Sequence, residues 1–84
     1  MDTATLMPNG RVFFGSFYDK TYEIMPDLRI VESTCDRAYY MTLIDLPMEI
    51  QLKVEAAREV MKAHQRGEPV RTYRRGGWWE PVEK

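Results

Sequence analysis

Two side chains of this chain could act as a nucleophile, a general base or a soft metal ligand. They are Cys35, the one cysteine, and His64, the one histidine. A structural zinc site takes four cysteine or histidine ligands, so this pair cannot close one. A Cys–His dyad would need folding to bring a loop residue next to a helix end, and no spacing here is typical of an activated nucleophile. We therefore predict no enzymatic activity, no metal and no cofactor.

The segment from Arg71 to Trp79, which reads RTYRRGGWW, has residue types suited to binding another macromolecule. Both tryptophans of the chain stand side by side in it, close to three arginines. Trp and Arg dominate binding energy when an interface buries them. Two exposed Trp and a Tyr would match the largest apolar patch on a typical monomer, roughly 300–600 Å². The predicted binding residues are Lys62, Arg66, Arg71, Tyr73, Arg74, Arg75, Trp78 and Trp79.

The charge distribution leaves two kinds of partner open for this segment. Residues 1–57 carry five basic and nine acidic side chains, whereas residues 58–75 carry six basic and two acidic ones. An acidic N-terminal part and a basic C-terminal part can steer a charged partner. Arginines that hold phosphates and tryptophans that stack on bases would also suit single-stranded nucleic acid or RNA. Nucleic-acid binding through the C-terminal segment is therefore the alternative to protein binding.

Size and composition predict one small domain in a reducing compartment. The chain has 84 residues, of which 44% are hydrophobic, and its single cysteine allows no internal disulfide. The N-terminus lacks the basic and apolar regions of a signal peptide, and no stretch reaches the roughly 18 apolar residues of a membrane span. We expect a cytoplasmic protein that does not associate with membranes.

Residues 3–44 have the pattern of short strands separated by turns. Asn9-Gly10 is a strong hairpin signal, and Pro8 before it favours a loop slightly longer than two residues. Gly15, inside an apolar run, indicates a bulge or a close backbone approach. Five aromatic residues of this region are expected in the core: Phe13, Phe14, Phe17, Tyr18 and Tyr22. The same expectation holds for four methionines, which fill gaps between other side chains: Met25, Met41, Met48 and Met61.

The clearest predicted element is an amphipathic helix over about residues 46–66. Asp45 is a suitable N-cap, and Pro47 fits the first turn because its missing N–H costs nothing there. Gly67 is a suitable C′ residue. Apolar residues recur at helical spacing along the segment: Leu46, Ile50, Val54, Ala57 and Met61.

The last predicted element is a C-terminal hairpin or tail over residues 70–82. With Gly76-Gly77 as a two-residue turn, Arg75 would face Trp78 and Arg74 would face Trp79. The predicted fold is therefore α+β. An antiparallel sheet of four or five short strands from residues 3–44 carries one helix and is followed by the hairpin, all within a single domain of residues 1–84.

These features predict a small non-enzymatic module that works by protein–protein contact. Small domains without motifs or disulfides are typical of accessory or inhibitor proteins of phages and other mobile elements, an analogy at the level of composition. A homodimer that pairs through an exposed strand edge is a third hypothesis.

Overall fold

The computed structural model describes residues 4–74 and 77–79, and within them seven strands form one sheet. The strand order across the sheet is β5-β4-β3-β2-β1-β6-β7. The strands are β1 (Thr5–Leu6), β2 (Val12–Phe17), β3 (Lys20–Ile24), β4 (Ile30–Ser33), β5 (Ala38–Met41), β6 (Thr72–Arg74) and β7 (Gly77–Trp79). A short 3₁₀ helix (Leu43–Asp45) and two α-helical segments, α1 (Met48–Gln51) and α2 (Val54–Gln65), follow β5. The α+β class is confirmed.

The sheet is mixed rather than purely antiparallel. Strands β1 to β5 form the antiparallel arrangement predicted for residues 3–44. The C-terminal hairpin then extends the same sheet, because β6 pairs with β1 in the parallel direction and Leu6 lies opposite Thr72. The predicted strand count and antiparallel character therefore hold for the first part of the sheet only. A hairpin of two short strands is marginally stable alone, and pairing with β1 gives this one support.

The β1–β2 and β3–β4 connections have the same turn structure. Their sequences are Met-Pro-Asn-Gly-Arg over residues 7–11 and Met-Pro-Asp-Leu-Arg over residues 25–29. In each, the N–H of the first residue donates to the C=O of the fifth. The N–H of the fifth in turn donates to the Asn9 or Asp27 side chain. The fourth residue has a positive φ, 87° at Gly10 and 73° at Leu28. The loop at Asn9-Gly10 is thus longer than two residues, as predicted.

Leu28 occupies a backbone conformation that favours glycine. Its side chain packs against the hydrophobic core. Burying a leucine is worth about 1.5–3 kcal/mol, whereas a left-handed conformation costs about 1–2 kcal/mol. Core packing therefore explains why this turn carries Leu where the first turn carries Gly10.

Gly15 lies at a β-bulge and in close contact with the helical layer. The pairing of β2 with β3 shifts register between Phe13 and Gly15. A β-carbon added to Gly15 would lie 3.1 Å from Ile50 Cδ1. Both consequences predicted for this glycine, a bulge and a close approach, are confirmed.

The helix is bent and begins later than predicted. Pro47 occupies the N-cap position of α1 with no side-chain cap, and the Asp45 carboxylate instead accepts from the Thr42 hydroxyl at 2.7 Å. Proline disfavours the helical conformation in the residue before it, and Leu46 is extended with ψ 152°. Lys53, with ψ −8°, then separates α1 from α2. The prediction of a continuous helix capped by Asp45 was therefore wrong.

The C-terminal end of α2 agrees with the prediction. Gly67 has φ 83°, its N–H donates to the His64 C=O, and the Glu68 N–H donates to the Ala63 C=O. These two hydrogen bonds define a Schellman motif, which requires the left-handed conformation that glycine adopts at low cost. Within the described part of the chain, no helix is both long and apolar enough to cross a membrane.

The core lies between the helices and strands β1 to β4. All five apolar residues of the predicted helical stripe are buried in it. Of the four methionines expected there, Met61 is buried and Met25 and Met41 are half-buried. Met48 is 69% exposed, so its assignment to the core was wrong. The reason is that Met48 lies on the outer side of α1, whereas Ile50 occupies the inner side.

The C-terminal hairpin has a different register from the predicted one. Tyr73 lies opposite Trp78, Thr72 opposite Trp79, and Arg74 opposite Gly77. Gly77 is thus a strand residue, and the predicted pairing of Arg74 with Trp79 was wrong. The adjacent glycines Gly76-Gly77 allow turns that differ by one residue, and such a shift reverses the face on which each side chain lies.

The contact between Gly15 and Ile50 generates a stability prediction. Gly15→Ala should lower the free energy of unfolding by about 1–2 kcal/mol, because the new methyl group overpacks against Ile50 Cδ1. In an Ile50→Val background, which lacks Cδ1, the same substitution should cost less than half as much. Urea unfolding of the four proteins in this double-mutant cycle measures the coupling. If Gly15→Ala lowered the free energy of unfolding equally in the wild type and in the Ile50→Val variant, the contact between Gly15 and Ile50 would be contradicted.

Candidate functional site

Four of the eight predicted contact residues have described side chains: Lys62, Arg66, Arg71 and Tyr73. The hairpin β6–β7 lies at one edge of the sheet, and Arg71 and Tyr73 are half-buried there. Arg75 is not among the described residues. Arg74, Trp78 and Trp79 are described by their backbones only. The role of these four residues stays a prediction.

The two predicted binding residues on the helix side are engaged with carboxylates. Lys62 Nζ lies 3.6 Å from Glu59 Oε2. The Arg66 guanidinium donates two hydrogen bonds to Glu68, at 2.8 Å and 3.2 Å. Hydrogen bonding to Arg66, together with its charge, lowers the pKa of Glu68, and the same interactions raise the pKa of Arg66.

These ion pairs reduce the basic character that the sequence suggested for residues 58–75. Arg58 Nη1 also has a neighbouring carboxylate, that of Glu55, at 3.9 Å. Glu55 precedes the basic segment in sequence, but on a helix residues three apart are neighbours. The arginine and the lysine of α2, Arg58 and Lys62, therefore each lie beside a glutamate of the same helix.

A different surface, which the sequence prediction missed, carries exposed apolar side chains. The segment 43–52 leaves four large apolar side chains in solvent; they are Leu43, 44% exposed, Ile44, 83%, Met48, 69%, and Leu52, 78%. Side chains of this size and exposure add up to several hundred Å², the range of the largest apolar patch on a typical monomer. We call these four residues the 43–52 surface.

The fold explains why these side chains are exposed. Leu46 and Ile50, in the same segment, are 4% and 1% exposed and belong to the core. The Leu52 N–H donates to the Met48 C=O, so Met48 and Leu52 lie on one side of α1. Six apolar residues within ten positions exceed what one buried face can hold. That excess was visible in the sequence and is the signal by which the surface could have been found.

Acidic residues accompany the 43–52 surface. Asp45 follows Ile44 and Glu49 follows Met48 in sequence, and both are exposed. Among the described residues, Glu49 forms no ion pair, whereas the Asp45 carboxylate is held by Thr42. The apolar side chains are thus accompanied by negative charge, which favours basic groups on whatever covers them.

Tyr18 is a separate exposed aromatic residue at the tip of the β2–β3 hairpin. Its side chain is 91% exposed and its φ is 58°, so the prediction that Tyr18 lies in the core was wrong. The ring packs edge-on against Phe17, with ring centroids 4.5 Å apart. Positive φ is uncommon for an aromatic residue, and here it presents the ring to solvent.

A buried polar pair links β3 to β4. The Tyr22 hydroxyl donates to Glu32 Oε2 at 2.8 Å, and Lys20 Nζ lies 3.9 Å from Glu32 Oε1. Tyr22 is 1% exposed and Glu32 is 9% exposed. Burial, followed by the hydrogen bond and the charge of Glu32, raises the pKa of Tyr22 to about 12. The Tyr22 hydroxyl thus gives the buried Glu32 carboxylate a hydrogen-bond donor, and Lys20 is a cation beside it.

Cys35 and His64 lie at opposite ends of strand β4. Cys35 follows β4, whereas the side chain of Gln65, next to His64, donates to the C=O of Pro26 in the turn that precedes β4. Four strand residues span about 13 Å, so the fold does not bring the thiol and the imidazole together. Among the described residues, no group of three or more His, Cys, Asp or Glu residues could hold a metal ion.

Comparison with known proteins adds no relative from which a function could be carried over. No family model, no curated protein and no solved structure matches this chain.

The Tyr22–Glu32 pair predicts a loss of stability at alkaline pH. Between pH 10 and pH 12 the folded protein retains the Tyr22 proton, whereas the unfolded chain, with a pKa near 10.0, loses it. The stabilisation is complete below pH 10 and is lost as pH rises through 12, with a fall of about 3 kcal/mol in the free energy of unfolding. Urea unfolding at several pH values measures the fall.

Tyr22→Phe is the test variant, and Tyr39→Phe, at an exposed tyrosine, is its control. At neutral pH, Tyr22→Phe should cost about 1–3 kcal/mol, because it leaves the buried Glu32 carboxylate without its donor. Its stability difference from the wild type should shrink as pH approaches 12. A constant difference across this range would show that Tyr22 titrates normally.

Proposed function

We propose that this chain is a non-enzymatic module that binds another protein through the 43–52 surface. The observation that carries the proposal is the exposure of Ile44, Met48 and Leu52, each of which is more than two-thirds exposed. The core contacts of the same segment are made by Leu46 and Ile50 instead.

The composition of the surface supports a contact role. Met is flexible and polarisable, and it suits binding surfaces that adapt to a partner. An exposed apolar side chain gains roughly 25 cal/mol for each Å² removed from water. Because α1 is anchored by Ile50 against Gly15, binding here would not require the segment to order first, which lowers the entropic cost of association.

The proposed partner is a protein with an apolar patch flanked by lysine or arginine side chains. Exposed Glu49, with Asp45 beside Ile44, would pair with such a rim. Complementary charges mainly raise the association rate and suppress wrong partners, and their effect decreases with salt. Occlusion of that patch would make the chain an inhibitor or accessory protein of its partner.

The C-terminal segment remains a second predicted contact region. The ion pairs of Lys62 and Arg66 reduce the free positive charge available to phosphates, so protein binding is preferred to nucleic-acid binding. A salt titration with single-stranded and duplex oligonucleotides separates the two alternatives, because phosphate contacts weaken steeply with salt.

Met48→Lys tests the proposal directly. Affinity capture from the native host with the wild-type chain should identify a stoichiometric partner, which is then purified and titrated against each variant. Loss of a central apolar anchor should weaken binding by about 2 kcal/mol, roughly 30-fold. The melting temperature should stay within a few degrees, because Met48 is 69% exposed.

Thr21→Lys is the matched control. It places the same charge at an exposed position of β3, where the neighbouring Tyr22 points to the opposite, buried side. This control should bind like the wild type. A purified partner that binds the Met48 variant and the wild type equally would rule out the 43–52 surface. If Trp79→Ala alone abolished binding, the C-terminal segment would be the contact region.

A further inference from the structure

Strand β5 forms the edge of the sheet opposite to the C-terminal hairpin. It pairs with β4 without interruption along its whole length, from Ala38 opposite Ser33 to Met41 opposite Ile30. Its sequence, Ala-Tyr-Tyr-Met, contains no Pro, no Lys and no bulge, the features with which edge strands usually avoid pairing with other chains. Tyr39 and Tyr40 are 47% and 56% exposed.

The hydrogen-bond pattern shows which backbone groups of β5 face outward. The Thr34 N–H donates to the Arg37 C=O at 2.8 Å, next to the end of the β4–β5 ladder. In an antiparallel ladder, hydrogen-bonded pairs alternate with non-hydrogen-bonded pairs. Tyr39 and Met41 therefore bond to β4, whereas the N–H and C=O groups of Ala38 and Tyr40 point away from the sheet.

These outward groups are complementary to those of an identical strand. When two copies of β5 run antiparallel about a two-fold axis at Tyr39, Ala38 of each copy lies opposite Tyr40 of the other. Both are residues whose N–H and C=O groups point outward, so each pair exchanges two hydrogen bonds. The small side chain of Ala38 faces the large side chain of Tyr40, and the two Tyr39 rings lie opposite each other, where aromatic pairs stabilise a sheet.

Charges at the two ends of β5 favour the same arrangement. Arg29 lies beside the C-terminal end, where its guanidinium stacks on the Tyr40 ring at 3.9 Å from the ring centroid. Asp36 precedes the N-terminal end and is exposed. Antiparallel pairing brings Asp36 of each copy to the end where Arg29 of the other copy lies. Arg29 Nε is bonded to Asp27 at 2.6 Å, and a guanidinium carries further N–H donors for a second carboxylate.

We propose that the chain forms a homodimer in which two β5 edges pair antiparallel about Tyr39, so that one sheet continues through both copies. A contact of four residues per copy is small. Stable dimers usually bury about 1,200 Å² or more. The dimer is therefore expected to be weak, with a dissociation constant in the micromolar range.

Sedimentation equilibrium of the full chain, from about 1 µM to about 1 mM, tests this dimer. Tyr40→Pro should abolish association and leave the fold intact, because it removes an outward N–H that forms no bond to β4. Tyr39→Pro is the matched control. It removes an inward hydrogen bond, so it should destabilise the monomer itself.

Exchange of the charges at Asp36 and Arg29 tests the register of the dimer without a proline substitution. Asp36→Arg and Arg29→Asp should each raise the dimer dissociation constant about tenfold, because each change places like charges together at two symmetric contacts. The double variant should return to within about threefold of the wild-type value.

Met48→Lys distinguishes this interface from the 43–52 surface and should leave the dimer unchanged. Three results would overturn the proposal: a monomer at every concentration, a dimer that Tyr40→Pro leaves intact, or a charge exchange whose double variant is no better than the single ones.

Discussion

The close packing of Ile50 on the backbone of Gly15 sets the position of the whole helical layer. It places α1 directly over β2, near the centre of the sheet, whereas the preceding strand β5 lies at the edge. Three strand spacings, about 14 Å, separate β5 from β2. The chain must therefore cross between Met41 and Ile50 in a few residues. It does so through a short 3₁₀ helix at Leu43–Asp45, after which Pro47 keeps Leu46 extended. The bend and the exposed side chains of the 43–52 surface follow from this constraint.

The same packing divides the apolar residues of that segment into two sets. Leu46 and Ile50 contact the sheet and are buried, and Val54 continues the buried row on α2. The remaining side chains have no sheet beneath them, so they stay in solvent. Deeper burial of Met48 or Leu52 would need a rotation of α1 that removes Ile50 from Gly15. The contact that stabilises the core therefore also maintains the exposed surface.

Much of the fold could be predicted because the relevant constraints are local. The turn at Asn9-Gly10 and the Schellman motif at Gly67 each depend on a positive φ, which glycine adopts easily. At Gly15 the absence of a side chain allows the close approach of Ile50. The buried stripe of the helix followed from its 3.6-residue period. The start of the helix was missed because Pro47 acts on the residue before it, which matters more than the capping potential of Asp45. The hairpin register was missed because two adjacent glycines allow alternative turns.

Sequence alone determined the α+β class, the turn at Asn9-Gly10 and the buried stripe of the helix, because these depend on periodicity and on the conformations of glycine and proline. Only the tertiary structure decided which apolar side chains remain outside the core. It also decided that β6 joins β1, which leaves β5 at the opposite edge. These outcomes depend on contacts between residues far apart in sequence, such as Gly15 with Ile50 and Leu6 with Thr72. A pattern confined to neighbouring residues carries no information about them.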